Sequence, residues 1–303
     1  MKNSFLIVLC IFWVNVIQSQ NIADLKKFFD YDKAQDLDFR ILSTDDSVQA
    51  TLYQVVFTGT QGLKVTGTLF IPKGELRQYP AVIILPDDGQ EKTEYYGESL
   101  QLAKESIASF VLDMISERAE PYRLYFNNFD SPRKDYSVYR QTVLDIRRSI
   151  DCLEQVPKVD RERIGFIGFG KGAIAGAIVS GVESRKISYI LLECPPVIAN
   201  DLLHSDDPEI VKAHNSLTSE QISQYESQLK ILDPVKYLGN RLYSGVLFQF
   251  SENDPFISTE LAQQTFKAAN NPKSIKFYNV SRYELIDNSG AINDRITWLK
   301  KNL

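Results

Sequence analysis

The stretch Arg163-Ile-Gly-Phe-Ile-Gly-Phe-Gly-Lys-Gly-Ala173 decides the fold of this chain. Its residues Ile164 to Gly168 are apolar or glycine, which predicts a buried strand. The glycines that follow predict a tight turn, and the small residues from Lys171 to Val182 predict a helix. A strand, a glycine turn and a helix in this order occur in three different kinds of site.

Two of these kinds of site bind nucleotides. The run from Gly165 to Lys171 approaches a phosphate-binding P-loop, but Gly172 stands where that loop needs Ser or Thr to hold magnesium. The run from Gly168 to Ala173 matches the G-x-G-x-x-A dinucleotide fingerprint, and Glu193 lies about twenty residues further on. Nucleotide domains usually begin with this unit, whereas several predicted strands precede it here. A nucleotide-binding protein stays as an alternative.

The third kind of site is the nucleophile elbow, G-x-S-x-G, which presents a serine above the sheet beside backbone amides that stabilise an oxyanion. The run from Gly168 to Gly172 keeps both flanking glycines, but Gly170 occupies the centre. Glycine has no side chain and cannot form an acyl intermediate. Because no Ser, Thr, Cys, Asp or Glu occurs from Gly165 to Ala177, a small shift in alignment does not restore a nucleophile.

Strands and helices alternate on both sides of this unit. Leu52 to Phe57 and Lys64 to Ile71, joined by Gly59 to Gly62, predict an antiparallel hairpin at the N-terminal edge. Helices between the later strands predict a mostly parallel sheet flanked by helices. Residues 196–236 are polar and contain both histidines, with a predicted helix from Ser219 to Leu232; we expect a small helical cap insertion there. The other predicted strands are Pro80 to Leu85, Ser109 to Asp113, Ile187 to Leu192, Val246 to Phe250 and Ile275 to Tyr278.

The N-terminus predicts a secretory signal peptide over residues 1–19. Lys2 precedes an apolar run from Phe5 to Val14, which is too short to span a bilayer comfortably, and a cleavage site is expected near Ser19. A membrane anchor is the alternative. Residues 20–303 would then form one domain, exported to the periplasm or the cell exterior, with no stable membrane anchor after cleavage.

Composition excludes several other classes of protein. The net charge of −5 gives no reason to expect a nucleic-acid partner. The mature chain would keep Cys152 and Cys194, which could pair or, as is commoner, stay as small buried residues. The sequence has neither a CxxC pair nor a zinc spacing, so no metal is predicted. No cofactor is predicted either, apart from the nucleotide alternative given above. Asp87 and Asp88 could bind a metal, but Asp-Asp-Gly is also ordinary turn chemistry.

Taken together, these segments resemble the α/β-hydrolase superfamily, particularly its dienelactone-hydrolase-like and prolyl-oligopeptidase-like members. The resemblance runs from about Tyr53 to Leu303 and implies the α/β-hydrolase fold. It rests on the order of the elbow and of the following segments: Val65 to Pro72, Pro80 to Leu85, Asp145 to Leu153, Val159 to Gly165, Asp233-Pro234, Ser251 to Pro255 and Asp294 to Leu299.

The resemblance also implies positions for a catalytic triad. It places the nucleophile at Gly170, the acid at Asp254 and the histidine at Tyr283. Tyrosine has an ordinary pKa near 10 and is therefore a poor base at neutral pH. The family often has His-Gly after the strand ending at Leu85, where this chain has Asp88 and Gly89.

The expected oxyanion region accordingly comprises Asp88, Gly89 and Lys171. The Lys171 side chain is expected to be a solvated helix residue that points away from the nucleophile position. His204 and His214 lie in the predicted cap and are expected to be surface or packing residues rather than bases.

With the nucleophile and base positions replaced, the sequence predicts a non-catalytic hydrolase-fold protein that binds an unknown small molecule or protein. An active carboxylester or peptide hydrolase with relocated catalytic residues is the first alternative, and the nucleotide-binding protein is the second.

Overall fold

The structure is a computed structural model that describes residues 23–200, 203, 208–241 and 245–303. Its centre is a nine-stranded sheet in the order β1-β2-β3-β5-β4-β6-β7-β8-β9. The strands are β1 (Arg40–Asp46), β2 (Ala50–Thr58), β3 (Lys64–Pro72), β4 (Tyr79–Leu85), β5 (Ala108–Leu112), β6 (Val159–Phe169), β7 (Ile187–Leu192), β8 (Val246–Asn253) and β9 (Lys273–Ser281).

Helices follow most of the strands from β4 onward. They are α1 (Tyr96–Lys104), α2 (Pro132–Glu154), α3 (Lys171–Val182), α4 (Pro208–Ser216), α5 (Ser219–Leu229), α6 (Val235–Leu238), α7 (Thr259–Ala268), α8 (Glu284–Asp287) and α9 (Ser289–Asn302). Short 3-10 turns occur at Thr60–Gly62, Lys92–Tyr95, Ile115–Glu117 and Lys230–Leu232.

Strand directions confirm the predicted architecture. β1, β2, β3 and β5 pair antiparallel, whereas all the pairs from β5 through β4 to β9 are parallel. The predicted hairpin is β2–β3, with Val55 opposite Gly67 and Thr58 opposite Lys64. Parallel strands end at the same edge of the sheet, so the loops after β4, β6, β8 and β9 lie close together.

The continuous apolar runs form the interior of the sheet. Every residue of β4, β5 and β7 is buried, as expected for strands covered by helices on both faces. All of α3 is buried too, and its small residues let it lie against the sheet. A Cβ atom on Gly172 would come within 2.4 Å of the Leu85 carbonyl oxygen, so only glycine lets the helix start this close to β4.

One strand was not predicted, and the state of the two cysteines, left open by the sequence, is now defined. β1 was not predicted, because all seven of its residues are exposed and give no apolar alternation. Cys152 and Cys194 are both free and buried, which is the commoner of the two possibilities considered.

The segment between β7 and β8 carries the predicted helix, seen as α5 and the 3-10 turn that follows it. Thr218 begins α5 with a capping box. The Tyr225 hydroxyl donates to the Asp135 carboxylate at 2.6 Å, and the Tyr225 ring packs against Phe129. These contacts fix α5 against the start of α2 and the loop before it.

The predicted signal peptide and His204 lie outside the described residues. Among the helices that the structure does describe, none combines the length and the apolar character needed to cross a bilayer.

Candidate active site

The elbow after β6 has the strained geometry expected of a nucleophile turn. Gly170 joins β6 directly to α3 with φ 51° and ψ −113°, a region that residues with a side chain rarely adopt. Its amide donates to the Leu192 carbonyl at 3.0 Å, and its own carbonyl accepts from the amide of Ile174. The predicted strand–turn–helix is therefore present, with glycine at its apex.

The carboxylate of Asp87 fills the space above this apex. A Cβ atom on residue 170 would lie 2.0 Å from Asp87 Oδ2 and 2.3 Å from its Oδ1. The Lys171 amide donates to Asp87 Oδ1 at 2.7 Å, and the amide of Asp88 donates to the same oxygen at 2.9 Å. In a serine elbow, the amide after the nucleophile is an oxyanion donor. A carboxylate from the neighbouring loop thus takes the place of the missing side chain.

Arg282 connects this carboxylate to the acid position. Its Nη2 lies 3.0 Å from Asp87 Oδ2, and its Nη1 lies 2.6 Å from Asp254 Oδ2. The guanidinium also lies over the Phe169 ring, 5.1 Å from its centroid, and over Phe256. The Asp254 side chain is fully buried, and its Oδ1 accepts hydrogen bonds from the backbone amides of Phe256 and Ile257. Asp87, Arg282 and Asp254 therefore lie in the order in which the family's triad has its nucleophile, its histidine and its acid.

Tyr283, the residue predicted at the histidine position, is 62% exposed, and its neighbour Arg282 makes both of these contacts. An arginine cannot act as a base at neutral pH, because its guanidinium stays protonated. Arg282 can orient and stabilise negative charge instead. Of the three groups in this cluster, only the carboxylates of Asp87 and Asp254 are able to accept a proton.

A second ion pair lies beside the first. Lys171 Nζ is 3.4 Å from Asp88 Oδ2, and Ser116 Oγ donates to Asp88 Oδ1 at 2.6 Å. Lys171 Nζ also lies 5.5 Å from the centre of the Phe126 ring. The Lys171 side chain is only 8% exposed, so the expectation of a solvated lysine is wrong. It was wrong because the loop after β4 folds over the start of α3. Gly89, also in that loop, has φ 78° and continues the turn.

Glu193 is a buried carboxyl group close to Asp254, the residue at the acid position. It ends β7 with a positive φ of 49°, is fully buried, and accepts the Ser251 amide on Oε1. Burial, followed by the nearby negative charge of Asp254, raises the pKa of Glu193 well above its usual value. A buried carboxyl cannot bind the ribose of a dinucleotide. The Asp87 carboxylate also lies over Gly170 and accepts the Lys171 amide, so it occupies the space in which the glycine turn would bind a pyrophosphate.

The remaining candidates lie apart from this cluster. His214 sits in the last turn of α4 in the inserted segment. Within the described residues, no group of three His, Cys, Asp or Glu side chains converges as metal ligands.

A family model described as Esterase FrsA-like matches residues 32–303. Curated proteins named Esterase FrsA are similar too: the one from Escherichia fergusonii is 25% identical over 268 residues, covering 84% of this chain. One from Escherichia coli is 24% identical over 265 residues. The chain spans 60% of the length of either protein.

Solved structures show the same fold. The acetyl xylan esterase of a Paenibacillus species superposes with a TM-score of 0.70 at 17% identity, covering 94% of this chain and 93% of that one. Acetyl xylan esterase 1 of a Thermoanaerobacterium species gives 0.73 at 16% identity, covering 93% of both chains. The predicted α/β-hydrolase superfamily and fold are confirmed.

These matches overturn the prediction of a non-catalytic protein that acts by binding alone, because the matched family and the curated relatives are named esterases. They agree better with the alternative of a hydrolase with relocated catalytic residues. The prediction rested on the empty nucleophile and base positions, and it gave Asp87, which lies over Gly170, only a turn or metal role. Nothing in the matches supports export.

Proposed function

Because this chain belongs to the FrsA-like esterase family, we propose that it hydrolyses carboxylic esters with Asp87 as the reacting carboxylate. One observation carries the proposal. The Asp87 carboxyl group occupies the volume in which an esterase elbow presents its nucleophile, and it does so in contact with the amide of Lys171.

Asp87 acts as a general base on water. A water oxygen adds to the ester carbonyl carbon while Asp87 takes one of its protons. The tetrahedral intermediate then expels the alcohol oxygen, which receives that proton from the Asp87 carboxyl. The products are the free carboxylic acid and the alcohol, and Asp87 is regenerated as a carboxylate. No acyl-enzyme forms, which agrees with a glycine at the apex of the elbow.

Two cations stabilise the charge that develops on the carbonyl oxygen. The Arg282 guanidinium contacts Asp87 directly, and the Lys171 ammonium lies beside Asp88. Preorganised charges in a site with little water act strongly on a developing oxyanion. Asp254 accepts a hydrogen bond from Nη1 of Arg282 and holds the guanidinium in place, so Asp254 is a positioning residue.

Hydrolysis of 4-nitrophenyl acetate tests the proposal. We expect turnover above the uncatalysed rate by the purified chain, and a loss of about 10²–10⁴-fold in kcat for Asp87→Asn, the range that general bases contribute. Asp45→Asn, on the exposed strand β1, makes the same charge change and is the matched control. Equal activity of Asp87→Asn and wild type would overturn the role of Asp87.

A fluorophosphonate probe and heavy-oxygen water test the mechanism. We expect no covalent labelling by the probe, because no serine attacks the ester. We also expect a single turnover in H2-18O to leave Asp87 unlabelled, since the water oxygen goes to the product acid. Labelling of a serine, or incorporation of 18O into Asp87, would contradict the general-base mechanism.

A further inference from the structure

A cavity of about 490 Å³ opens beside the start of α2. It lies where the loop after β5 meets the first turns of this helix. Its lining combines cationic and apolar side chains and includes Arg123, Leu124, Tyr125, Arg133, Lys134 and Val138.

The three cations of this cavity are Arg123, Arg133 and Lys134. Within the described part of the chain, neither Arg123, Arg133 nor Lys134 forms an ion pair with a carboxylate. Arg123 is instead held by hydrogen bonds: its Nε donates to the Arg118 carbonyl at 2.8 Å, and its Nη1 lies 3.4 Å from the Tyr125 hydroxyl. The exposed side chains of Glu117 and Glu120 are near enough to raise the pKa of Arg123 further, after the contribution of Tyr125.

The position of these cations works against helix stability. Arg133 and Lys134 follow Pro132 at the beginning of α2, where the helix dipole already concentrates positive charge. Ser131 provides no side-chain cap there. The one carboxylate in the first turn, Asp135, is buried and already accepts from Asn128 and Tyr225. An anion in the cavity would relieve this excess of positive charge.

The same loop joins the cavity to the proposed active site. Leu124 donates its amide to the Ile115 carbonyl, and Ser116, next to Ile115, donates to Asp88. Phe126, two residues beyond Leu124, places its ring against Lys171 Nζ. Two residues of chain span at most about 7 Å. The cavity lining at Leu124 is therefore no more than two residues along the chain from Phe126, which contacts Lys171 beside Asp88.

We propose that the cavity beside α2 binds an anionic group, a carboxylate or a phosphate, carried by the ester that is hydrolysed. This inference rests on the proposed esterase function and specifies its substrate class: esters with a negative charge several atoms from the scissile bond. Arg123 is held in place by its two hydrogen bonds, whereas Arg133 and Lys134 contribute exposed cations.

Binding and turnover test this assignment separately. In phosphate-free buffer, calorimetric titration with glutarate and with inorganic phosphate measures occupation of the site without any reaction. The test variant is Arg133→Gln/Lys134→Gln, which changes two exposed residues. The control is Lys158→Gln/Arg161→Gln, an equal charge change at the opposite end of β6 from Gly170. Asp87→Asn keeps the cavity and separates binding from catalysis.

We expect at least one of the two anions to bind wild type, the control and Asp87→Asn alike, and to bind the test variant about tenfold more weakly. Absence of binding to wild type at about 20 mM of either anion, or equal binding by the test variant, would overturn the site whether or not the protein hydrolyses esters.

The substrate assignment is measured with two 4-nitrophenyl esters, the neutral butyrate and the anionic hemiglutarate. We expect the ratio of kcat/KM for the anionic ester to that for the neutral ester to fall about tenfold in the test variant. An unchanged ratio, with hydrolysis present, would contradict the substrate class and leave the esterase proposal standing. Absence of hydrolysis in every variant would instead refute the esterase proposal and with it the substrate class, while the titrations still decide the anion site.

Discussion

Asp87 Oδ2 lies 2.0 Å from the point where a Cβ atom on Gly170 would stand, so these two residues share the space of one side chain. Strand pairing explains the relationship. Leu85 on β4 is in register with Gly168 on β6, and two further residues along each parallel strand lead to Asp87 and Gly170. The Asp87 side chain therefore fills the space that a side chain at position 170 would occupy, and this replacement is the structural basis of the proposed site.

Gly170→Ala should destabilise the protein by about 2–4 kcal/mol, since it adds overpacking against Asp87 to the strain of a positive φ. In an Asp87→Ala background the clash disappears, and the same change should cost only about 1 kcal/mol. Urea unfolding of the four proteins in this double-mutant cycle measures the difference. An equal cost in both backgrounds would show that Asp87 does not occupy the apex.

Arg282→Gln should destabilise the protein by about 3–5 kcal/mol, because it leaves two carboxylates in a largely buried site without their cation. Arg282→Lys keeps the charge but loses the fork that reaches both partners, so its loss should be intermediate. Chemical denaturation checks the order. Arg40→Gln, which breaks an exposed ion pair with Asp38, is the control and should have little effect.

Glu193 predicts a specific pH dependence. Its pKa in the folded protein is raised by burial and by Asp254, so the native state keeps a proton that the unfolded chain loses above its ordinary carboxyl pKa. Stability contributed by this group is therefore present at low pH and lost as the pH rises toward the folded pKa. Glu193→Gln should remove that loss.

The gap in unfolding free energy between Glu193→Gln and wild type should accordingly widen from pH 5 to pH 8, by up to about 1.4 kcal/mol per pH unit. Urea denaturation across this range measures it, and Glu252→Gln at an exposed position is the control. A gap that is constant with pH would mean that Glu193 is ionised in the folded protein.

Cys152 and Cys194, two of the three cysteines of the chain, give a simple chemical test of the core. Burial raises the pKa of Cys152 to about 12 and also raises that of Cys194, so neither should form a reactive thiolate at pH 8. In a Cys10→Ser variant, which leaves only these two thiols, Ellman's reagent should react with neither in the native protein and with both after unfolding in guanidinium chloride without reductant. Thiols that remain unreactive after unfolding would indicate a disulfide.

Much of the fold could be predicted from the sequence because its strands are continuous apolar runs. β4, β5 and β7 are buried at every residue, and a strand covered on both faces needs apolar residues at nearly every position. β1 carries only exposed residues, so its place in the sheet depends on pairing with β2 and leaves no trace in hydropathy.

The site could be predicted only in part. The glycine spacing correctly predicted Gly170 at the elbow. The predicted acid, Asp254, contacts Arg282, which lies between Asp254 and the elbow. The histidine position of the family predicts Tyr283, an aromatic residue, whereas the residue that contacts both carboxylates is its neighbour Arg282, the one long cation in that loop. Asp87 was considered only for turns and metals, but counting along the two neighbouring strands would have placed it beside Gly170.

Chemical rescue tests the central claim most directly. Asp87→Ala empties the space above Gly170, and sodium formate offers a small carboxylate that fits it. We expect this variant to lose at least about 10²-fold in 4-nitrophenyl acetate hydrolysis and to regain activity with formate in a saturable manner, while wild type does not respond. A variant that stays fully active without formate, or one that formate cannot restore, would contradict a carboxylate as the reacting group.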